Sequence, residues 1–265
     1  MACLPNLRKV EKATLLIVSV ALAGVLLELT AFWRGVGRAR RFAKAGRRFE
    51  RRLSARGATV LILGDSTGVG VGATRPEESV AGLFAADYPE AGIINVAMSG
   101  TRVADAINQA RRCFEAGMCF DLALLHVGGI DVIAGTPLHR LADDCDILMR
   151  ELGRLAARTV WLGPPDLGLA PLFPRPYAWV MASRSRAASK VFSAAAARHD
   201  VHFVDFSAPA HVAYFRKRRR QHFAIDGFHP NSASYKYGYA AARQILGLFE
   251  PDGLSVRSAA SRLVE

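Results

Sequence analysis

Cysteine is scarce in this chain, and its spacing removes one common use. Four occur in 265 residues: Cys3, Cys113, Cys119 and Cys145. None stands in a Cys-x-x-Cys pair or in a Cys/His cluster, so no metal site of the zinc type is expected. Free structural thiols are the ordinary reading, and a Cys113–Cys119 bridge would require a domain facing an oxidising compartment. No segment repeats at a fixed period, and no low-complexity tract appears. A Gly-Lys-Ser/Thr after a glycine loop is missing, which excludes a P-loop. Gly68, Gly70 and Gly72 have the wrong spacing for a dinucleotide fingerprint. Acidic charge is thin at one end only. Residues 1–56 hold 13 Lys/Arg against 3 Asp/Glu, whereas residues 57–265 hold 22 against 20. The net charge of +12 therefore belongs mostly to the N-terminal segment and does not mark a nucleic-acid surface. What remains is a chain that is 51% hydrophobic, ample for one sizeable domain and short for two.

Ala13 to Trp33 reads ATLLIVSVALAGVLLELTAFW and is apolar apart from Glu28 and small polar residues. A helix of this length spans about 30 Å of hydrocarbon, with Glu28 near one end and Trp33 suited to the interfacial belt. The competing reading is a signal peptide cleaved at Ala21–Ala23. Hydrophobicity continues past that point and a dense basic stretch follows, so an uncleaved anchor is favoured. In that stretch Val36, Ala39, Phe42, Phe49 and Leu53 recur at roughly helical spacing among Arg and Lys. This predicts an amphipathic helix on an anionic membrane surface, with a solvated basic linker as the alternative. Three basic residues precede the anchor and ten follow it. The positive-inside rule then puts the following domain on the cytoplasmic face. The organisation expected is a tail and anchor over 1–33, a basic segment over 34–57, a domain over 58–250 and a tail over 251–265.

From Ala58 onward, short apolar runs alternate with helical patterns. Strands are predicted at Thr59–Leu63, Gly92–Ala97, Asp121–Val127, Thr159–Leu162 and Val201–Phe206. Helices are predicted near Glu77–Ala86, Val103–Ala116, Leu138–Ala157, Ala182–Arg198 and Ser232–Phe249. The alternation implies βαβ units and a parallel sheet covered on both faces. Ligands of such sheets bind beyond the carboxyl ends of the strands. Four segments fall there: Gly64-Asp65-Ser66-Thr67, Asn95 to Val103 (NVAMSGTRV), His126 to Val132 (HVGGIDV) and Asp226 to Asn231 (DGFHPN).

A serine hydroxyl needs a base, a group that orients the base, and donors for the oxyanion. Ser66 can be the nucleophile, exposed at a strand end. His229 can be the base on a surface loop, and Asp226, three residues away, can fix its tautomer. The N–H groups of Ser66 and Gly100 can receive the oxyanion. Gly64-x-Ser66-x-Gly68 also fits a nucleophile elbow, but the early serine and the tight Asp226/His229 pair count against that fold.

These four blocks, in this order over about residues 58–250, resemble the SGNH/GDSL hydrolase superfamily. The resemblance implies a flavodoxin-like three-layer α/β/α sandwich with a five-stranded parallel sheet, and no cofactor. Carried over by position, it makes Ser66 the nucleophile, Asp226 and His229 the other triad members, and Gly100 an oxyanion donor. One block departs: Ile130 stands where the family has an Asn whose side chain donates to the oxyanion. Losing one such donor typically lowers kcat by about 10²–10³. Neither Ser99 nor His126 can be assigned as its substitute, and His126 reads as a strand residue packed in the core.

Arg216 to Arg220 (RKRRR) can be a collar for phosphates or a solvated loop. Pro165 to Tyr177, with Phe173 and Tyr177, can line an acyl pocket. The reading is a membrane-anchored serine esterase or lipase-type hydrolase acting through an acyl-enzyme on an ester, with lipid esters among the candidates. The alternatives are a lapsed domain that binds an acylated or acidic ligand, and an acyltransferase using the same residues.

Overall fold

The computed structural model describes residues 7–52 and 57–247, with no side chains described before residue 14. Helix α1 (Leu7–Ala45) comes first. The strands are β1 (Thr59–Gly64), β2 (Gly92–Asn95), β3 (Phe120–His126), β4 (Ala156–Leu162) and β5 (His202–Val204). Between and after them lie α2 (Ser66–Val69), α3 (Val80–Asp87), α4 (Val103–Glu115), α5 (Gly129–Ala134), α6 (Leu138–Leu155), α7 (Arg175–Arg198), α8 (Pro209–Lys217) and α9 (Ser232–Leu246).

The five strands form one parallel sheet in the order β2-β1-β3-β4-β5. That is the flavodoxin-like order expected, and its direction reverses between β1 and β3, where a crevice opens. The register is fixed by side-chain alternation. Leu61 and Leu63 of β1 and Ala123 and Leu125 of β3 enter the core under α4, α6 and α7. Val60, Ile62, Leu122 and Leu124 enter the opposite core under α3 and α9. A one-residue slip would exchange these sets, and full burial of each such side chain stabilises the fold by roughly 1.5–3 kcal/mol. Trp161 is fully buried, and its indole N–H donates to the Val127 carbonyl at 3.2 Å.

The predicted strands all form, with small shifts of their ends. α7 begins at Arg175, earlier than the pattern from Ala182 indicates, because Pro174 and Pro176 suit a helix start and the apolar face begins at Ala178. α2 and α5 are too short to carry a periodic signal, and α8, of nine residues, is not among the predicted helices. Cys113 and Cys119 are free, the first buried and the second exposed. Leu53, the rest of residues 53–56 and the tail over 251–265 lie outside the described residues.

The N-terminal segment differs from the expected anchor plus separate basic helix. α1 is one helix of 39 residues, about 58 Å long. Its stretch from Thr14 is long and apolar enough to cross a membrane, a property shared with signal sequences. Leu15, Leu26 and Leu27 are more than half exposed. The apolar stripe beyond Trp33 does not face outward: Ala39 is buried, and Phe42 and Ala43 pack on Val69, Val71 and Ala97 of the domain. Protein contacts are available to that stripe at closer range than a membrane surface.

Candidate active site

The site is built at the β1/β3 crevice. β1 ends at Gly64, whose φ of +122° and position against the His126 carbonyl leave no room for a Cβ. Asp65 N–H then donates to the His126 carbonyl at 2.7 Å, stitching the turn to β3. The Asp65 carboxylate caps α2, accepting from Thr67 N–H at 2.8 Å and Thr67 Oγ1 at 2.7 Å. Ser66 is thereby fixed at the first position of α2. Two side chains hold the turn from below. Gln109 accepts from Gly64 N–H at 2.8 Å and donates to Gly64 O at 3.1 Å. Asn95 donates to the Gly68 carbonyl at 3.0 Å.

The second half of the site is the loop between α8 and α9. Ala224 N–H donates to the His229 carbonyl at 2.8 Å, and Gly227 N–H to the Ala224 carbonyl at 2.9 Å. Within this loop Asp226 Oδ1 accepts from the N–H groups of Phe228 and His229, both at 3.0 Å. Asp226 Oδ2 lies 2.5 Å from His229 Nδ1. One carboxylate thus fixes both the backbone and the ring, and leaves His229 Nε2 as the free nitrogen.

Ser66 and His229 line one cavity, together with Asp65, His126, Ile130 and Phe228. Both are nearly buried, Ser66 at 6% and His229 at 4% exposure. Sequence reasoning expects an exposed serine and a histidine on a surface loop; Phe42 of α1 and Phe228 cover His229 instead, and Ser66 lies in the cavity wall. No hydrogen bond joins the Ser66 hydroxyl to His229 in this arrangement, among the described residues. Such contacts often tighten only when substrate is bound. Gly100, with φ +91°, lines a separate depression with Met98, Ser99 and Thr101. Neither the Ser66 nor the Gly100 N–H donates to another protein group among the described residues.

The electrostatics of the site are set by burial and by partners. Burial pushes Asp65 up to about 6, against the opposing bonds from Thr67. Burial also acts to raise Asp226, but the hydrogen bonds from His229 and Phe228 outweigh it and hold Asp226 below the usual carboxylate value. Burial lowers His126 to about 4, so it is neutral near neutral pH. Its place at the end of β3, packed and 3% exposed, is the one expected. Asp131 ties the third block to α4 and α5, accepting from Val103 N–H and Thr136 Oγ1 at 2.9 Å.

Other expectations resolve differently. Arg219 donates to the Leu169 and Ala170 carbonyls, so one member of the basic run braces the loop after β4. Pro165, Leu167 and Leu169 of that loop line the cavity, whereas Phe173 and Tyr177 stack on Phe32 of α1. Phe42, whose ring centroid lies 6.3 Å from that of His229, is the site neighbour that sequence reasoning missed. Its helical spacing with Ala39 was visible, but not the surface it would meet. Among the described residues no cluster of His, Cys, Asp or Glu could hold a metal ion.

The fold is that of known ester hydrolases. A lipolytic protein of the G-D-S-L family from Veillonella parvula superposes with a TM-score of 0.57 at 14% identity, covering 71% of this chain and 98% of its own. A phospholipase A1 from Streptomyces albidoflavus gives 0.53 at 18%, covering 71% and 99%. A carbohydrate acetylesterase from Sinorhizobium meliloti gives 0.54 at 19%, covering 72% and 100%. At these identities the likeness concerns fold alone. No curated protein matches the chain significantly. The family pattern decides more: residues 62–237 match the GDSL-like lipase/acylhydrolase family. The chain belongs to that family, and with it to the ester-hydrolysing enzymes.

Proposed function

We propose that the protein is a membrane-anchored serine esterase that cleaves carboxylic esters through an acyl-enzyme on Ser66. The observation that carries this reading is His229, which lines one cavity with Ser66 and is held from behind by Asp226 at 2.5 Å. Ser66 Oγ attacks the ester carbonyl while His229 Nε2 takes its proton. His229 then gives that proton to the departing alkoxide. Water repeats the sequence in reverse and releases the acid. Asp226 keeps the proton-bearing Nδ1 toward itself, so that Nε2 is the basic nitrogen. The Ser66 N–H and, by the family resemblance, the Gly100 N–H are the donors assigned to the oxyanion, and neither donates to another protein group among the described residues. In this reading α1 is the anchor, and the excess of basic residues after it supports a domain on the cytoplasmic side.

Ile130 supports a second reading. It lines the cavity where an Asn side chain would donate, so a domain that binds an acyl group and turns over slowly fits the same wall. Reaction with a fluorophosphonate separates the two. The first reading expects labelling of the wild type, none of Ser66→Ala, and hydrolysis of p-nitrophenyl butyrate that Ser66→Ala abolishes. A folded wild type that neither labels nor hydrolyses the ester rejects it.

A further inference from the structure

The contacts of α1 beyond its apolar stretch link the proposed anchor to the catalytic cleft. The domain-facing side of the helix runs Phe32, Gly35, Ala39, Phe42 and Ala43, at the three- and four-residue steps of one helical face. At its upper end Phe32 stacks on Phe173 and Tyr177, with centroids 6.4 and 5.7 Å away. One turn on, Gly35 lies so close to Leu172 that any Cβ there would collide with it. Ala39 is 6% exposed. At the lower end Phe42 meets His229, and Ser99 Oγ donates to the Ala43 carbonyl at 3.2 Å. A second aromatic path returns from the cleft to the upper end. His229 packs on Phe228 at 4.9 Å, Phe228 on Phe173 at 5.9 Å, and Phe173 on Phe32. The helix thus packs behind His229, and the aromatic path reaches the cavity that holds Ser66 through Phe228 and His229.

The distance along the helix is short. Phe42 follows Phe32 by ten residues, about 15 Å of rise. The apolar stretch ends at Trp33, which is 63% exposed beside Phe32. No linker intervenes, so an inserted α1 holds the catalytic histidine within about 15 Å of the hydrocarbon edge, and any tilt brings it closer. The headgroup layer is itself about 5–8 Å thick. On the outward face Arg34, Arg38, Arg40, Arg41 and Lys44 are exposed, and no carboxylate among the described residues pairs with them. They run outward from the hydrocarbon edge through the headgroup layer and into the reach of its negative surface potential.

We propose that α1 is a brace for the histidine loop and a depth gauge at once. It holds Ser66 and His229 just outside the headgroup layer, and the ester cleaved is that of an amphiphile resident in the same bilayer. This rests on the esterase reading above. The test uses full-length protein in vesicles of phosphatidylcholine and phosphatidylglycerol carrying a long-chain umbelliferyl ester that does not exchange between vesicles. Ester in the enzyme's own vesicles should be cleaved at least about tenfold faster than ester in a separate population. Equal rates overturn the proposal. A seven-residue helical spacer between Ala31 and Phe32 lifts the domain by about 10 Å with its docked face intact. It should lower the same-vesicle rate about tenfold while p-nitrophenyl butyrate hydrolysis holds. An unchanged same-vesicle rate in the spacer variant overturns the helix's role in setting depth. A wild type inactive on the soluble butyrate as well overturns the esterase reading itself, and the two failures are thereby distinct.

Discussion

Asp65 and Asp226 are two carboxylates in one site, buried almost equally at 6% and 4% exposure, yet their acidities diverge. Asp65 is held up at about 6 and Asp226 is held below its ordinary value. The difference lies in what each oxygen meets. Asp226 has a backbone N–H pair on one oxygen and an imidazole nitrogen on the other. Asp65 spends one oxygen on Thr67, and no hydrogen bond reaches the other among the described residues. Burial alone therefore does not decide whether a carboxylate is an ion in this site; the count of donors does. The consequence is a division of labour, with Asp226 equipped to steady a cationic imidazole and Asp65 equipped to cap a turn.

The largest effect should come from the Asp226 side of this contrast. Asp226→Asn keeps an oxygen for the two N–H groups but turns the ring tautomer against catalysis. We expect kcat on p-nitrophenyl butyrate to fall by about 10⁴ with the melting temperature little changed. A fall under tenfold would mean that Asp226 does not orient the base. The Asp65 side should show in stability rather than rate. Its folded-state value lies above the ordinary 3.8, so between those values the folded protein binds more protons and loses stability as pH rises. Acidification from about pH 7 to about pH 4 should therefore stabilise the wild type relative to Asp65→Asn by roughly 2.4 kcal/mol. Urea midpoints of both proteins across that range measure it, and a pH-independent difference would show that Asp65 titrates normally. The smallest effect should follow Thr67→Val, which removes the hydroxyl donor and keeps the N–H. It should lower stability by about 1 kcal/mol near neutral pH and less in acid, where a protonated Asp65 has less need of the donor.

Much of this contrast was invisible before the chain was folded. The two motifs, their order and the strands before them were legible, because an apolar run ending in Gly-Asp-Ser and an Asp-x-x-His turn are local patterns. The five strands were legible for the same reason: each is short, apolar throughout and bounded by turn residues. What was not legible depends on surfaces meeting at long range. Phe42 belongs to a stripe that reads equally well as membrane-facing, and only the position of Val69, Ala97 and His229 decides between them. Phe173 and Tyr177 read as pocket aromatics, but their partner Phe32 stands far upstream. The burial of Asp65, Ser66 and His229 likewise follows from neighbours distant in the chain rather than from their own segments.

The order in which the chain is made gives α1 one more role. Domains form from the N-terminus as synthesis proceeds, so the helix precedes every strand. When it emerges, the face from Gly35 to Ala43 has no partner. The Ser99 hydroxyl that will meet Ala43 lies 56 residues later, and His229 follows almost the whole domain. The Ser66 turn thus acquires its neighbour from a piece already waiting, while the His229 loop arrives last and closes the assembly. An incomplete chain already holding α1, β1 and β3 would carry Ser66 without His229, and a nascent protein of this kind completes its cleft only when its final fifth has been built.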